Sequence, residues 1–216
     1  MTMDKLSVDS LIFDLDGTLW DTTATCAKAW QSVIDNLDFI NISISQRDIR
    51  RIAGTQHDLI FQTLFPTLTE PEHTLLTRLC GEAELNYISQ YGGELFGNLG
   101  EIFTDLSRTF NLFIVSNCQD GYIESFLNYY KLNTFIQDFE CSGRTLENKT
   151  HNIRRIIQRN NLKTPVYIGD TQGDCDAACG NQIPFIYAAY GFGTVDSFDK
   201  KISSLAELKQ NINACY

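Results

Sequence analysis

Two acidic side chains stand close together at the end of an apolar run in the stretch LIFDLDGTLWDT. Asp14 ends the run, and Asp16 follows two residues later, directly before Gly17. Two carboxylates at one strand end repel each other and lose hydration, so a fold that keeps them usually balances them with a cation or uses them in a reaction. Such a pair can bind a metal ion, attack an electrophile or transfer a proton.

Polar side chains also follow two later apolar runs and begin one helical pattern. They are Ser116 with Asn117, Asp170 with Asp174, and Lys149. Taken alone, each has a structural explanation as a helix cap, a turn residue or a solvated charge. Ligands of an open parallel sheet bind at the carboxyl ends of its strands, however, so we expect these groups to converge on one edge.

Short apolar runs rich in β-branched and aromatic residues predict the strands that position these groups. They are residues 11–13, 112–115, 166–168 and 183–188. Each has the length of a strand that is buried on both faces. Segments with helical spacing lie at residues 99–110, 123–130, 149–160 and 174–179. Alternating strands and helices predict an α/β fold with a Rossmann-like parallel sheet as its core.

The segment from about residue 21 to 91 interrupts this alternation and predicts a helical insertion after the first strand. Its apolar residues recur at helical spacing, at Ala27, Trp30, Ile34 and Leu37 and again at Leu76, Leu79, Ala83 and Tyr87. We therefore predict a helical cap domain at residues 19–92. Residues 1–18 and 93–216 would form the core domain.

Two features of the chain could border a site at the sheet edge. A polar break between helical segments of the insertion, at Arg51, Gly54, Gln56 and His57, could reach down to a ligand or could simply connect two helices. Trp20, directly after the first motif, could line the approach to the site or pack the cap against the core.

The composition excludes several classes of protein. The 216 residues are 43% hydrophobic and 20% charged, which is typical of a folded chain, and the net charge of −10 disfavours nucleic acids and anionic membranes as partners. No apolar run approaches the roughly 18 residues that span a bilayer. Seven cysteines without CxxC pairs favour reduced thiols. We expect a cytoplasmic protein that is a monomer or weak dimer.

The four polar elements together resemble the haloacid dehalogenase (HAD) superfamily of phosphotransferases. Its members carry DxDGT, a Ser or Thr after the second strand, a Lys and GDxxxD, in this order. Here these elements are DLDGT at residues 14–18, Ser116 with Asn117, Lys149, and GDTQGD at residues 169–174. The insertion falls where a first-type cap sits in that superfamily. The general pattern, with YGFGT at residues 190–194, is similar to the phosphoglycolate phosphatase-like subgroup.

The resemblance implies a role for each of these groups. Asp14 would be the nucleophile that forms an aspartyl phosphate, and Asp16 would protonate the leaving alcohol and later deprotonate water. Mg²⁺ would be held by Asp14, Asp170 and the backbone carbonyl of Asp16, and Asp174 would orient Lys149 or a metal-bound water. The phosphate would be bound by Thr18, Ser116, Asn117 and Lys149. The N–H groups from Asn117 onward would open a helix whose positive end favours an anion.

These features imply Mg²⁺-dependent hydrolysis of a small phosphate monoester, phosphoglycolate-like or a sugar phosphate. The partner would then be a small phosphorylated metabolite. A sugar phosphomutase of the β-phosphoglucomutase type is an alternative with the same core. A non-catalytic phosphate-binding or interaction protein on this scaffold is the alternative from another class. The presence of Asp16 sets the sequence apart from the dehalogenating branch, which lacks this acid.

Overall fold

The computed structural model describes residues 5–55 and 57–215. The strands are β1 (Leu6–Val8), β2 (Ser10–Phe13), β3 (Trp20–Asp21), β4 (Glu94–Leu95), β5 (Asn111–Ser116), β6 (Ile136–Cys141), β7 (Pro165–Gly169), β8 (Phe185–Ala188), β9 (Lys200–Ile202) and β10 (Ile212–Ala214). The helices are α1 (Thr23–Ile34), α2 (Gln46–Ile52), α3 (His57–Leu64), α4 (Glu70–Tyr91), α5 (Leu99–Leu106), α6 (Tyr122–Tyr130), α7 (Ser142–Thr145), α8 (Lys149–Arg159), α9 (Gln172–Cys179) and α10 (Leu208–Asn211), with a 3₁₀ turn at Leu205–Glu207.

Six strands form one parallel sheet in the order β6-β5-β2-β7-β8-β9. Strand β2 lies near the middle, where Ser10 pairs with Asn111 of β5 on one side and with Pro165 of β7 on the other. The carboxyl ends of β2, β5 and β7 are therefore neighbours. The predicted α/β fold with a Rossmann-like parallel sheet is confirmed.

Helices cover both faces of this sheet, which is why its central strands are apolar on both sides. Successive side chains of a strand point to opposite faces, and accordingly Leu11 and Phe13 join one hydrophobic cluster while Ile12 joins the other. The first cluster includes Phe103 of α5, and the second includes Ile156 of α8.

Strand β6 was not predicted from the apolar pattern. It lies at the edge of the sheet, and its sequence IQDFEC has three consecutive more exposed positions between buried ones. Arg159 of α8 pairs with Asp138 and Glu140 on this strand. Because an edge strand needs no continuous apolar run, the pattern that found the central strands could not find this one.

The helices α1 to α4 form the predicted insertion between β2 and β5. The antiparallel pair of β3 and β4 brings its two ends together, with Trp20 opposite Leu95 and Asp21 opposite Glu94. Trp20 is fully buried and its ring lies 4.8 Å from that of Phe126 on α6, so it packs the insertion against the core. The division into a core and a cap at residues 19 and 92 stays a proposal.

The buried face of α4 differs from the predicted apolar stripe. Its buried residues are His73, Leu76, Cys80, Gly81, Glu84 and Ile88. Of the predicted stripe, only Leu76 is buried, while Leu79, Ala83 and Tyr87 are half-buried. The helix is therefore rotated from the predicted orientation, and this rotation turns the carboxylate of Glu84 inward.

Candidate active site

The polar groups predicted from the sequence meet at the carboxyl edge of the sheet. Asp14 directly follows β2, Ser116 ends β5 and Asp170 directly follows β7, while Lys149 is the first residue of α8. The carboxylates of Asp14, Asp170 and Asp174 each place one oxygen within 4.8 Å of the others. The parallel topology explains this convergence, because adjacent parallel strands end side by side.

Lys149 joins two of these carboxylates. Its Nζ donates to Asp14 Oδ1 at 2.6 Å and to Asp174 Oδ1 at 2.5 Å. Burial alone would lower the pKa of the ammonium, but the charges of Asp14 and Asp174 outweigh burial and raise the pKa well above its usual value. The other oxygen of Asp174 accepts from the backbone N–H groups of Asp170 and Thr171. Asp174 thus connects Lys149 to the start of α9.

The acidic cluster carries more negative charge than the protein neutralises. Burial raises the pKa of Asp14 well above its ordinary range, with Lys149 opposing the shift. Burial, followed by the charge of Asp174, raises the pKa of Asp170 to about 7. Three carboxylates face one ammonium group. Every atom that these acids could offer to a metal ion is an oxygen, so the cluster fits a hard divalent cation such as Mg²⁺.

Asp170 is held by the loop that follows β8. The backbone N–H of Phe192 donates to its Oδ2 at 2.7 Å, and that of Gly193 donates at 3.3 Å. Thr18 Oγ1 donates to its Oδ1 at 3.3 Å. Residues 190–194 therefore border the site, as the sequence suggested. Thr18 is fully buried and its hydroxyl is directed at Asp170, and its role in phosphate binding stays a prediction.

Asp16 has a different environment from Asp14. Its Oδ1 accepts hydrogen bonds from Thr22 Oγ1 at 3.0 Å and from Tyr122 Oη at 2.9 Å. Burial raises the pKa of Asp16 to about 6, although the hydrogen bonds from Tyr122 and Thr22 oppose this. Gly17 takes φ +88°, a value that favours glycine, and the chain turns there. One carboxylate is thus paired with an ammonium, and the other is paired with hydroxyl groups.

Asn117 lies in a loop and not at the start of a helix, while its role in phosphate binding stays a prediction. The helix after β5 begins at Tyr122 and not at Asn117, so Asn117 does not open a helix N-terminus. Its side chain instead donates from Nδ2 to the carbonyl of Gly54 at 2.8 Å and accepts from Ser142 Oγ at 2.9 Å. This residue therefore ties the core to the break between α2 and α3.

A cavity of about 620 Å³, including its open mouth, lies between the insertion and this edge of the sheet. Asp14, Asp16, Ser116 and Lys149 line it on the core side. On the insertion side, Gly54 and Thr55 of the polar break line it, so the break does reach the site. Of the other predicted break residues, Arg51 is exposed, His57 begins α3, and Gln56 lies outside the described residues.

Several cavity residues were not identified from the sequence. Tyr122 and Thr22 hydrogen-bond to Asp16, and on the insertion side Glu84 accepts from Cys26 Sγ at 3.0 Å and from Gln119 Nε2 at 2.7 Å. Burial raises the pKa of Glu84 to about 7, with the hydrogen bond from Cys26 opposing this and the charge of Asp16 adding to it. The sequence did contain a signal for the position of Glu84. It belongs to the series Leu76, Cys80, Glu84 and Ile88, whose spacing of four residues places them on one face of a helix.

A parallel sheet with three carboxylates and an ammonium group at its carboxyl edge, and with a helical insertion after β2, defines a Rossmann-like α/β protein with an acidic site at its strand ends. Residues 11–188 match the family model described as haloacid dehalogenase-like hydrolase. The chain belongs to this family. The resemblance drawn from the sequence and the prediction of a hydrolase of this family are confirmed.

Solved structures of the same fold cover nearly the whole chain. A haloacid dehalogenase-like hydrolase family protein from Streptococcus pneumoniae is 20% identical, with a TM-score of 0.80 over 94% of this chain and 97% of that one. A predicted phosphoglycolate phosphatase from Haemophilus somnus is 18% identical, with a TM-score of 0.77 over 94% and 97%. CbbY from Rhodobacter sphaeroides, solved with xylulose-1,5-bisphosphate, is 12% identical, with a TM-score of 0.79 over 95% and 100%.

No sequence among the curated proteins matches this chain. In the described part of the chain, no helix combines the length and the apolar character needed to cross a membrane.

Proposed function

We propose that this protein hydrolyses small phosphate monoesters through a phosphorylated Asp14. The observation that carries the proposal is the contrast between two carboxylates that line one cavity. Asp14 is bound to the Lys149 ammonium, whereas Asp16 is bound to two hydroxyl groups and has a pKa raised to about 6. Two carboxylates with separate environments can take separate roles in one reaction.

In the first step, a carboxylate oxygen of Asp14 attacks the phosphorus atom, and the bond from phosphorus to the ester oxygen breaks. The leaving alkoxide takes a proton from the carboxyl group of Asp16. In the second step, the Asp16 carboxylate removes a proton from a water molecule as the oxygen of that water attacks the same phosphorus atom. The bond to Asp14 then breaks, which releases phosphate and restores both carboxyl groups.

Lys149 would hold the nucleophile and offset its charge as the phosphate approaches. Its ammonium is buried and fixed by Asp14 and Asp174, so little reorganisation is needed during transfer. The hydroxyl of Ser116 lines the same cavity and would donate to a phosphate oxygen. The insertion, held to the core through Asn117 and Gly54, would exclude bulk water from the reacting phosphate.

Asp14, Asp170 and the backbone carbonyl of Asp16 would hold Mg²⁺, and Asp174 would orient Lys149. When bound, the cation would neutralise charge on the phosphate oxygens. Thr18 and the N–H groups of the loop after β8 would keep the Asp170 carboxylate in place for it.

The decisive variant is Asp14→Asn, with phosphate release from a panel of small phosphate esters measured in Mg²⁺. We expect at least about a thousandfold loss of turnover, as for other nucleophile replacements. The matched control is Asp35→Asn, which removes the same charge at an exposed position. In acid-quenched samples, the peptide that contains Asp14 should gain the mass of one phosphoryl group. Isomerised sugar phosphate without stoichiometric phosphate release would favour the phosphomutase instead.

A further inference from the structure

The part of the cavity beyond the phosphate site is built from apolar side chains around one buried carboxylate. Ile49, Ile52 and Trp30 line it, and Glu84 of α4 faces into it. Glu84 is only 6% exposed. Nothing in the two transfer steps uses this carboxylate, which leaves its presence in the cavity to be explained.

Glu84 lies at a short distance from the groups that would handle the leaving oxygen. Thr22 donates to Asp16, and Cys26, four residues along, donates to Glu84. At 1.5 Å per residue, four residues of helix separate these two donors by roughly 6 Å along the axis. A chain of two or three carbons, followed by a hydrogen bond of about 2.9 Å, spans a distance of that order.

The charges around this pocket are unfavourable for a second anionic group on the substrate. Among the described residues that line the cavity, Lys149 is the only cation, and Asp14 and Asp174 already bind it. Arg50 lies over the Phe192 ring at 5.0 Å, but it pairs with Asp21. A carboxylate on the leaving group would therefore lose its hydration without gaining a partner.

Resting on the proposed function, we infer that Glu84 selects phosphate esters whose leaving alcohol carries a hydrogen-bond donor, a hydroxyl or an amine, two or three carbons from the ester oxygen, and rejects esters that carry a carboxylate there. Glu84 acts as a specificity-determining residue, and Gln119 and Cys26 fix its carboxylate. The apolar walls accept the short carbon chain between the phosphate and the donor.

The test uses four esters of nearly equal size: 2-hydroxyethyl phosphate, phosphoethanolamine, propyl phosphate and 2-phosphoglycolate. For the unmodified chain in Mg²⁺, we expect kcat/KM for the hydroxyl and amine esters to exceed that for 2-phosphoglycolate at least about tenfold, because an unpaired buried charge costs more than a missing methylene. Propyl phosphate should fall between them. Equal or faster hydrolysis of 2-phosphoglycolate would overturn the inference and leave the proposed phosphatase standing.

Glu84→Gln should lower the ratio of kcat/KM for phosphoethanolamine to that for 2-phosphoglycolate at least about tenfold, mainly through KM. Glu82→Gln is the matched control, because Glu82 lies on the same helix, is exposed and pairs with Arg78. That control should leave the ratio unchanged. If the Glu84→Gln variant keeps the parental ratio of the two kcat/KM values, groups other than Glu84 determine the selectivity.

Binding separates the two proposals if no ester is turned over. The Asp14→Asn chain is titrated with the same four esters by calorimetry. The same order of affinity without turnover in the parent would support selection by Glu84 and reject the phosphatase. Affinity that does not depend on the terminal group would reject the selection.

Discussion

The carboxylate of Glu84 should make the protein less stable as the pH rises, and Glu84→Gln should remove this effect. The pKa of Glu84 is raised from an ordinary 4.5 to about 7, chiefly by burial. Between these values the folded state holds the proton more tightly than the unfolded state, so the free energy of unfolding falls with increasing pH. At about 1.36 kcal/mol per pH unit, the full interval corresponds to about 3 kcal/mol.

About 2 kcal/mol of this amount lies between pH 5.5 and 7, which defines the assay. Urea unfolding of the parent and of Glu84→Gln is compared at pH 5.5 and pH 8, in EDTA so that no divalent cation contributes. The variant should gain about 2 kcal/mol relative to the parent between the two pH values. Other acids with raised pKa values, such as Asp16, act in both chains, so the difference isolates Glu84.

The groups that face Glu84 sharpen the comparison. Cys26 and Gln119 donate hydrogen bonds to it, and the charge of Asp16 raises its pKa further. The hydrogen bonds lost in Glu84→Gln change the free energy of unfolding by the same amount at both pH values. This change therefore cancels when the two pH values are compared. Glu82→Gln, at an exposed position on the same helix, is the matched control. A stability difference for Glu84→Gln that stays constant from pH 5.5 to pH 8 would refute the burial of this carboxylate.

Three further outcomes test the reaction centre. Lys149→Met should lower kcat at least about a hundredfold, since it removes the fixed charge beside the nucleophile, while Lys163→Met, at an exposed end of the sheet, should leave kcat near the parental value. Gly17→Ala should lower the free energy of unfolding by about 1–3 kcal/mol in urea titration, because φ +88° is strained for alanine and its Cβ would overlap the Asp170 carboxylate. EDTA should abolish phosphate release and Mg²⁺ should restore it; undiminished turnover in EDTA would contradict the proposed cation.

Much of the core could be predicted because its signals are local. The runs that became β2, β5 and β7 are apolar on both faces, and the residues after them are fixed in space by the ends of those strands. The positions of Asp14, Ser116 and Asp170 follow from this topology. Lys149 could be placed because its helix begins at that residue, with Asn148 as the cap.

The sequence was least informative where the direction of a side chain depends on contacts distant in sequence. The hydroxyl of Thr18 donates to Asp170, which follows a strand about 150 residues further along the chain. Asn117 was expected to open a helix, whereas its side chain is occupied by Gly54 in the insertion. Neither partner could be identified from the local sequence.

The same reasoning explains why the chemistry could be predicted from the sequence and the substrate could not. Asp14 and Asp16 are two residues apart at a strand end, and Gly17 allows the turn that separates their environments. Glu84 faces the cavity only because α4 is rotated from the predicted apolar stripe, and a rotation of one residue changes the direction of a helical side chain by about 100°. Because α4 packs against α1, where Cys26 donates to Glu84, the side chain that we infer to choose the substrate is held in place by tertiary contacts.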